Sequence, residues 1–237
     1  CVRWVHGDRC ASAVEKPAVV AVTSSVSTGP SMLISQGAIL VLQGLSGALV
    51  GVVLFYLLGS LLLREWVRID VYQLSLSMAL AFLVAIVCEV YLGRLYYLVM
   101  GDHLWQYRVW PIHDGYTSVL NFIIWPVYGY YVYFFHYVLQ QKSIEIRPHW
   151  LKGLVSGFDG PLLEILANGF FLLFYGTFYF YYLPGDMRHF TSIQVIPLYM
   201  VMGVILTLLL EPLLKKPPRW HYPAVFYLAG VGFVLAG

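Results

Sequence analysis

The chain has 237 residues, 60% of them hydrophobic and 11% charged, and its mean hydropathy is +0.74. A soluble domain carries about 25% charged residues, so this composition excludes one and implies an integral membrane protein. Fourteen Lys and Arg against twelve Asp and Glu leave a formal charge of +2, too little for the clustered basic face that nucleic-acid binding needs. The expected partner is the lipid bilayer, with no nucleic acid.

Residues 1–31 form a polar tail ending in VTSSVSTGPS, with no apolar run long enough to span. A segment of this composition does not fold alone, so other membrane subunits are expected to contact it. The three cysteines, Cys1, Cys10 and Cys88, make no CxxC pattern, which argues against a structural zinc site. Cys88 sits in an apolar run and is expected to pack, whereas Cys1 and Cys10 pair only if the tail lies outside the cytosol.

Apolar runs follow at 32–63, 71–100, 118–140, 154–183, 191–214 and 222–237. The first has no charge and exceeds the roughly 20 residues that cross hydrocarbon; the last is short for a full span. Gly47 and Gly51 in the first run have the small-xxx-small spacing that lets helices approach closely. Residues 32–237 are therefore predicted to form a single all-α domain, a polytopic transmembrane bundle of about six helices. Nineteen Tyr, fourteen Phe and seven Trp suit the aromatic belts of such a bundle.

Loop charges set the expected orientation. Arg64, Arg68, Lys142, Arg147, Lys152, Lys215, Lys216 and Arg219 lie after the first, third and fifth runs, against Arg108 and Arg188 after the second and fourth. Cations accumulate on the cytoplasmic side. The prediction is a multi-pass protein of the cell membrane, with the N-terminus and loops 101–117 and 184–190 extracytoplasmic.

Sliding the chain on itself by about 74 residues superposes its unusual positions. Glu89 meets Glu164, Pro111 meets Pro184, Thr117 and Ser118 meet Thr191 and Ser192, and Gly129 meets Gly203. Each unit would be an acid-bearing helix, an outer loop with Pro, Asp and His, and a second helix opening on Thr-Ser. A shift of two helices keeps both copies in one orientation, a parallel repeat.

Glu89 and Gly93 with Trp105 and Tyr107, followed by Pro126, Tyr128 and Gly129, resemble the Glu-x3-Gly, Trp-x-Tyr and Pro-x-Tyr-Gly patterns of type IV ABC-transporter membrane proteins. The resemblance covers about residues 85–205. In the second copy Asn168 stands where Gly is expected, and Phe180 where Trp is. Membership would imply a transport role with the ATPase on another chain, since no GxxxxGK[ST] motif is present here.

A carboxylate inside hydrocarbon usually faces protein or a water-filled cavity and marks a functional site. Glu89 and Glu164, with Asn168 one turn after Glu164 and Arg94 nearby, form the candidate intramembrane polar site. The competing expectation is that each acid pins its helix to a neighbour through a hydrogen bond. Arg94 follows Glu89 by five residues, on a different face, so no salt bridge between them is expected. A second candidate, along the headgroups, comprises Asp102, His103, Trp105, Tyr107, Trp110, His113, Asp114, Asp186 and His189. Its Asp and His are metal-ligand types, but no metal-site spacing accompanies them. The only cofactor class expected is bound lipid.

The stretch GLSGALVG, Gly44 to Gly51, is similar to the Gly-x-Ser-Gly of rhomboid proteases, which would make Ser46 a nucleophile and His136 its base. A glycine-rich packing face is the preferred expectation. With no catalytic constellation elsewhere, the sequence favours a non-enzymatic subunit of a larger membrane complex. The alternative is a permease-like carrier of a small molecule, ion or lipid that uses Glu89 and Glu164.

Overall fold

The computed structural model describes residues 30–146, 148 and 150–236. The polar tail with Cys1 and Cys10, and the loop cation Arg147, lie outside the described residues, and with them the expected contact between tail and other subunits. Six α-helices follow in order: α1 Pro30–Leu63, α2 Val71–Met100, α3 Asn121–Gln141, α4 Trp150–Tyr175, α5 Ile196–Leu214 and α6 His221–Leu235. Short strands sit between them, β1 Trp105–Tyr107, β2 Pro111–Ile112, β3 Thr117–Ser118 and β4 Phe180–Tyr182. The fold is all-α, and four segments are long and apolar enough to cross a membrane: Val41–Leu63, Val71–Met100, Trp150–Tyr175 and Ile193–Leu214.

Local chemistry sets the helix ends. Asp70 caps α2 by accepting from the Gln73 N–H at 3.0 Å, the usual role of a short acidic side chain at that position. Gly101, at φ +78°, ends α2 in the left-handed conformation, its N–H donating to the Tyr97 carbonyl as in a glycine C-cap. Pro126 inside α3 cannot donate to the carbonyl of Phe122. Tyr227 of α6 donates its hydroxyl to that oxygen at 3.4 Å.

Several boundaries differ from those predicted, α4 beginning at Trp150 ahead of the expected 154. α3 begins at Asn121 because Thr117 and Ser118 pair with Pro111 and Ile112 in a hairpin. α4 stops at Tyr175, where Gly176 takes φ +68°, and the aromatic run beyond it pairs as β4 instead of continuing the helix. α5 starts at Ile196, after a single 3-10 turn over Ile193–Val195.

The glycines of α1 act as a packing face. A Cβ on Gly47 would meet Phe170 at 3.3 Å, and one on Gly51 would meet Val127 at 2.9 Å, so α1 lies against α3 and α4. α6 runs beside α2 in the same direction. Trp220 packs on Tyr72, Tyr227 on Phe82 and Phe233 on Tyr91.

The repeat is visible in the structure. α2, β1 and α3 correspond to α4, β4 and α5 at an offset of about 75 residues. In the first copy α3 closes on α2 at Gly129, where an added Cβ would lie 2.5 Å from the Met78 Cα. In the second, α4 closes on α5 at Gly153, where a Cβ would lie 2.5 Å from the Gly203 carbonyl carbon. These are equivalent crossings, Met78 with Gly153 and Gly129 with Gly203. β1 and β4 join the copies as an antiparallel pair, Trp105 opposite Tyr182, Gln106 opposite Tyr181 and Tyr107 opposite Phe180. Exchanging each residue for its equivalent maps this pairing onto itself, which requires a pseudo-two-fold axis through the ribbon.

Candidate functional site

Each copy wraps its acid in hydroxyl donors brought from its own loop. Glu89 of α2 accepts from the Tyr107 hydroxyl on one oxygen. On the other it accepts from Thr117 at 2.7 Å and the Asn121 amide at 3.0 Å. Asn121 also donates to Thr117 at 2.8 Å, and its carbonyl accepts from Tyr179 at 2.7 Å, which fixes the orientation of the amide. Glu164 of α4 accepts from Tyr182 at 2.6 Å, Tyr199 at 2.8 Å and Thr191 at 2.5 Å. Tyr107 corresponds to Tyr182 and Thr117 to Thr191. Trp125 occupies in the first copy the position of Tyr199, but its buried indole N–H makes no hydrogen bond to Glu89.

The loop tyrosines are held as donors. Burial, followed by the neighbouring carboxylate, pushes the Tyr107 and Tyr182 hydroxyls well above the usual phenol range, and burial does the same to Tyr179. Among the described residues no Lys or Arg hydrogen-bonds either acid. The cations nearby pair elsewhere, Arg94 with Asp114 at 3.5 Å and Lys152 with Glu211 at 2.5 Å.

Both acids border empty space. Between α2, α5 and the β1–β4 ribbon lies a cavity of about 40 Å³ whose lining includes Glu89, Glu164, Tyr107, Tyr182 and Met202. A larger one, about 170 Å³, lies between α1, α3 and α4, lined by Gly51, Trp125, Tyr128, Ala167, Phe170 and Glu164 among others. The two carboxylates are enclosed by protein yet keep some accessible surface, and Glu164 lines both cavities while Glu89 lines the smaller. A polar hollow of about 700 Å³ at the opposite end of the bundle is lined by His136, Gln140, Lys152 and Glu211.

The structure separates the residues grouped by sequence. Glu89, Glu164 and Tyr107 come together. Asn168 does not reach Glu164; its amide donates to the Phe190 carbonyl at 2.8 Å and its oxygen accepts from the Tyr179 N–H at 3.2 Å, tying α4 to its loop. The space left by Gly93 is filled by Tyr116 and Trp105. Arg94 points away to Asp114 and is half exposed, as its spacing from Glu89 requires.

The loop residues are likewise dispersed. Asp102 caps its neighbour His103, and Asp186 accepts from Ser192 and from the Ile193 N–H. His103 stacks on Tyr116 and His189 on Tyr181. His113 contacts the Phe233 carbonyl of α6 at 3.0 Å. Trp105 is buried and donates to the Tyr116 carbonyl at 2.9 Å, whereas the Trp110 carbonyl accepts from Val119 in the hairpin.

Ser46 and His136 lie far apart. Ser46 bonds the Gln43 carbonyl and Tyr175 at the end of α4, while His136 faces the hollow beside Lys152 at its start. Those ends of α4 are separated by about 35 Å at the rise of an α-helix, so the two residues cannot act as nucleophile and base.

Asn121, Trp125, Tyr179, Tyr182 and Tyr199 belong to the site but are not singled out from sequence, and Thr117 and Thr191, which the repeat aligns, are not assigned to it there. Tyr182 and Tyr199 were within reach of the repeat alignment, lying 75 residues after Tyr107 and 74 after Trp125. No family model, curated protein or solved structure matches the chain, and the likeness to type IV ABC-transporter membrane proteins rests on the quoted residues alone.

Proposed function

We propose that this chain is a permease-like carrier that receives a small, largely apolar molecule from the bilayer in the cavity beside Glu164. One observation carries the reading: a carboxylate held by three hydroxyl donors forms part of the wall of an otherwise apolar cavity between α1, α3 and α4. Ligand sites combine apolar walls with a few placed polar groups in this way. A group that served only to pin two helices would need no such space. The β1–β4 ribbon covers one end of the acid pair, the end that the loop charges assign to the outside, so a carrier of this shape is closed outward. The accessory-subunit reading rests on the polar tail, which lies outside the described residues, on the small loops and on the lack of a catalytic constellation in the sequence, none of which involves the cavity beside Glu164.

The test uses 3-trifluoromethyl-3-phenyldiazirine, an apolar photoreactive probe, on protein in lipid nanodiscs. Label is expected on Tyr128 and Tyr199, which face inward, and is expected to disappear from them in Ala167→Phe, which fills the cavity. Label confined to the outward-facing Leu162 and Leu173 would contradict the proposal.

A further inference from the structure

The cavity beside Glu164 has a chemistry more selective than greasiness. Its walls carry Trp125, Tyr128, Phe170, Phe171, Tyr179 and Tyr199, and aromatic faces attract cations through the ring quadrupole. The polar group among them is a carboxylate whose partners are all neutral donors. Lys152 and Arg94 are engaged with other acids, Lys152 with Glu211 and Arg94 with Asp114. A negative charge in hydrocarbon without a positive partner is costly, and so is a positively charged solute crossing the same region. Each supplies what the other lacks. An anionic ligand would meet the Glu164 carboxylate, and a neutral one would offer it no counter-charge.

We infer that the ligand is an organic cation with an apolar body, an aryl- or alkylammonium, seated with its charge between Glu164 and the surrounding aromatic rings. The inference rests on the reading that this cavity receives a ligand. Size agrees: a cavity of about 150 Å³ accommodates benzene, so about 170 Å³ accepts one ring or one trimethylammonium group. Any longer apolar body extends past α1 toward the bilayer. The glycines at 47 and 51 leave room on that side for α1 to lie close without a side chain filling the space.

The experiment is equilibrium dialysis of the protein in nanodiscs against labelled phenyltrimethylammonium and, separately, its uncharged isostere tert-butylbenzene, with empty nanodiscs as the blank. The cation is expected to be retained about tenfold more tightly than the isostere, and Glu164→Gln, which keeps shape and removes charge, is expected to abolish the preference. Equal or tighter retention of tert-butylbenzene by the wild-type protein overturns the cation assignment and leaves the cavity as an apolar site. Retention of neither probe above the blank overturns both readings. A Glu164→Gln protein that folds and keeps the preference removes Glu164 from the site. Because the wild-type comparison discriminates by itself, a variant that fails to fold leaves the test decisive.

Discussion

Gln106 and Tyr181 stand opposite one another in the β1–β4 ribbon and are also equivalent residues of the two repeats, so the pseudo-two-fold axis passes between them. The same axis relates Glu89 to Glu164 and the tyrosine, Tyr107 or Tyr182, that holds each. The symmetry is broken where it bears on function. α2 and α5 pack directly, whereas the related gap between α3 and α4 holds the larger cavity and is covered by α1.

The two helix crossings should respond alike to added bulk. Gly129→Leu and Gly153→Leu each drive a side chain into the backbone of the facing helix, and overpacking costs about 1–3 kcal/mol. Thermal unfolding of purified protein should show a comparable loss for both. If one substitution is neutral, the crossings are not equivalent.

Tyr107→Phe and Tyr182→Phe each remove one hydroxyl from a buried carboxyl. Leaving such an acceptor short of a donor costs about 1–3 kcal/mol, so chemical denaturation should register a similar destabilisation for both variants. A large loss in one copy and none in the other would place structural weight on a single acid.

Alkaline pH should weaken the fold. The unfolded chain gives up phenolic protons near pH 10, while Tyr107, Tyr179 and Tyr182 hold theirs well above that. The folded state therefore binds more protons, and stability falls as pH rises past about 10, by about 1.4 kcal/mol per unit for each tyrosine. Unfolding midpoints followed from pH 8 upward check this, with pH 8 to about 9.5 as the expected plateau. Tyr107→Phe should decline less steeply than the wild type, and equal slopes would exclude Tyr107 as a contributor.

Exchange across a membrane separates carrier from mere receptor. Proteoliposomes loaded with unlabelled phenyltrimethylammonium should take up the labelled form about tenfold faster than protein-free liposomes, and Glu89→Gln or Glu164→Gln should bring the rate down to that of the blank. Counterflow no faster than the blank in the wild type would end the carrier reading.

Much of the fold was legible because hydrocarbon demands long apolar runs, and those give helix number and order without tertiary information. Glu89 and Glu164 were legible for the same reason, being acids in such runs. The ribbon was not. In FYFYY, residues 178–182, apolarity alone cannot distinguish the end of a helix from a strand, and the deciding feature is Gly176 taking a positive φ. Asn168 was read by helical spacing as a partner of Glu164, but the loop folds back over α4 and offers it unpaired backbone groups of Tyr179, Phe180 and Phe190 instead. Tyr199 was hidden for a related reason: it reaches Glu164 from another helix, and no spacing within one helix encodes that.

The central claim is that the Glu164 carboxyl faces an apolar space reached from the bilayer. Carbodiimide labelling followed by peptide mass spectrometry tests it most directly. The apolar reagent diisopropylcarbodiimide should modify Glu164 in the wild type and fail to do so in Ala167→Phe, while a sulfonate-bearing, anionic carbodiimide confined to water should leave it unmodified in brief exposure. Modification of Glu164 by the water-confined reagent at an equal rate, or no modification by the apolar one, would contradict the account.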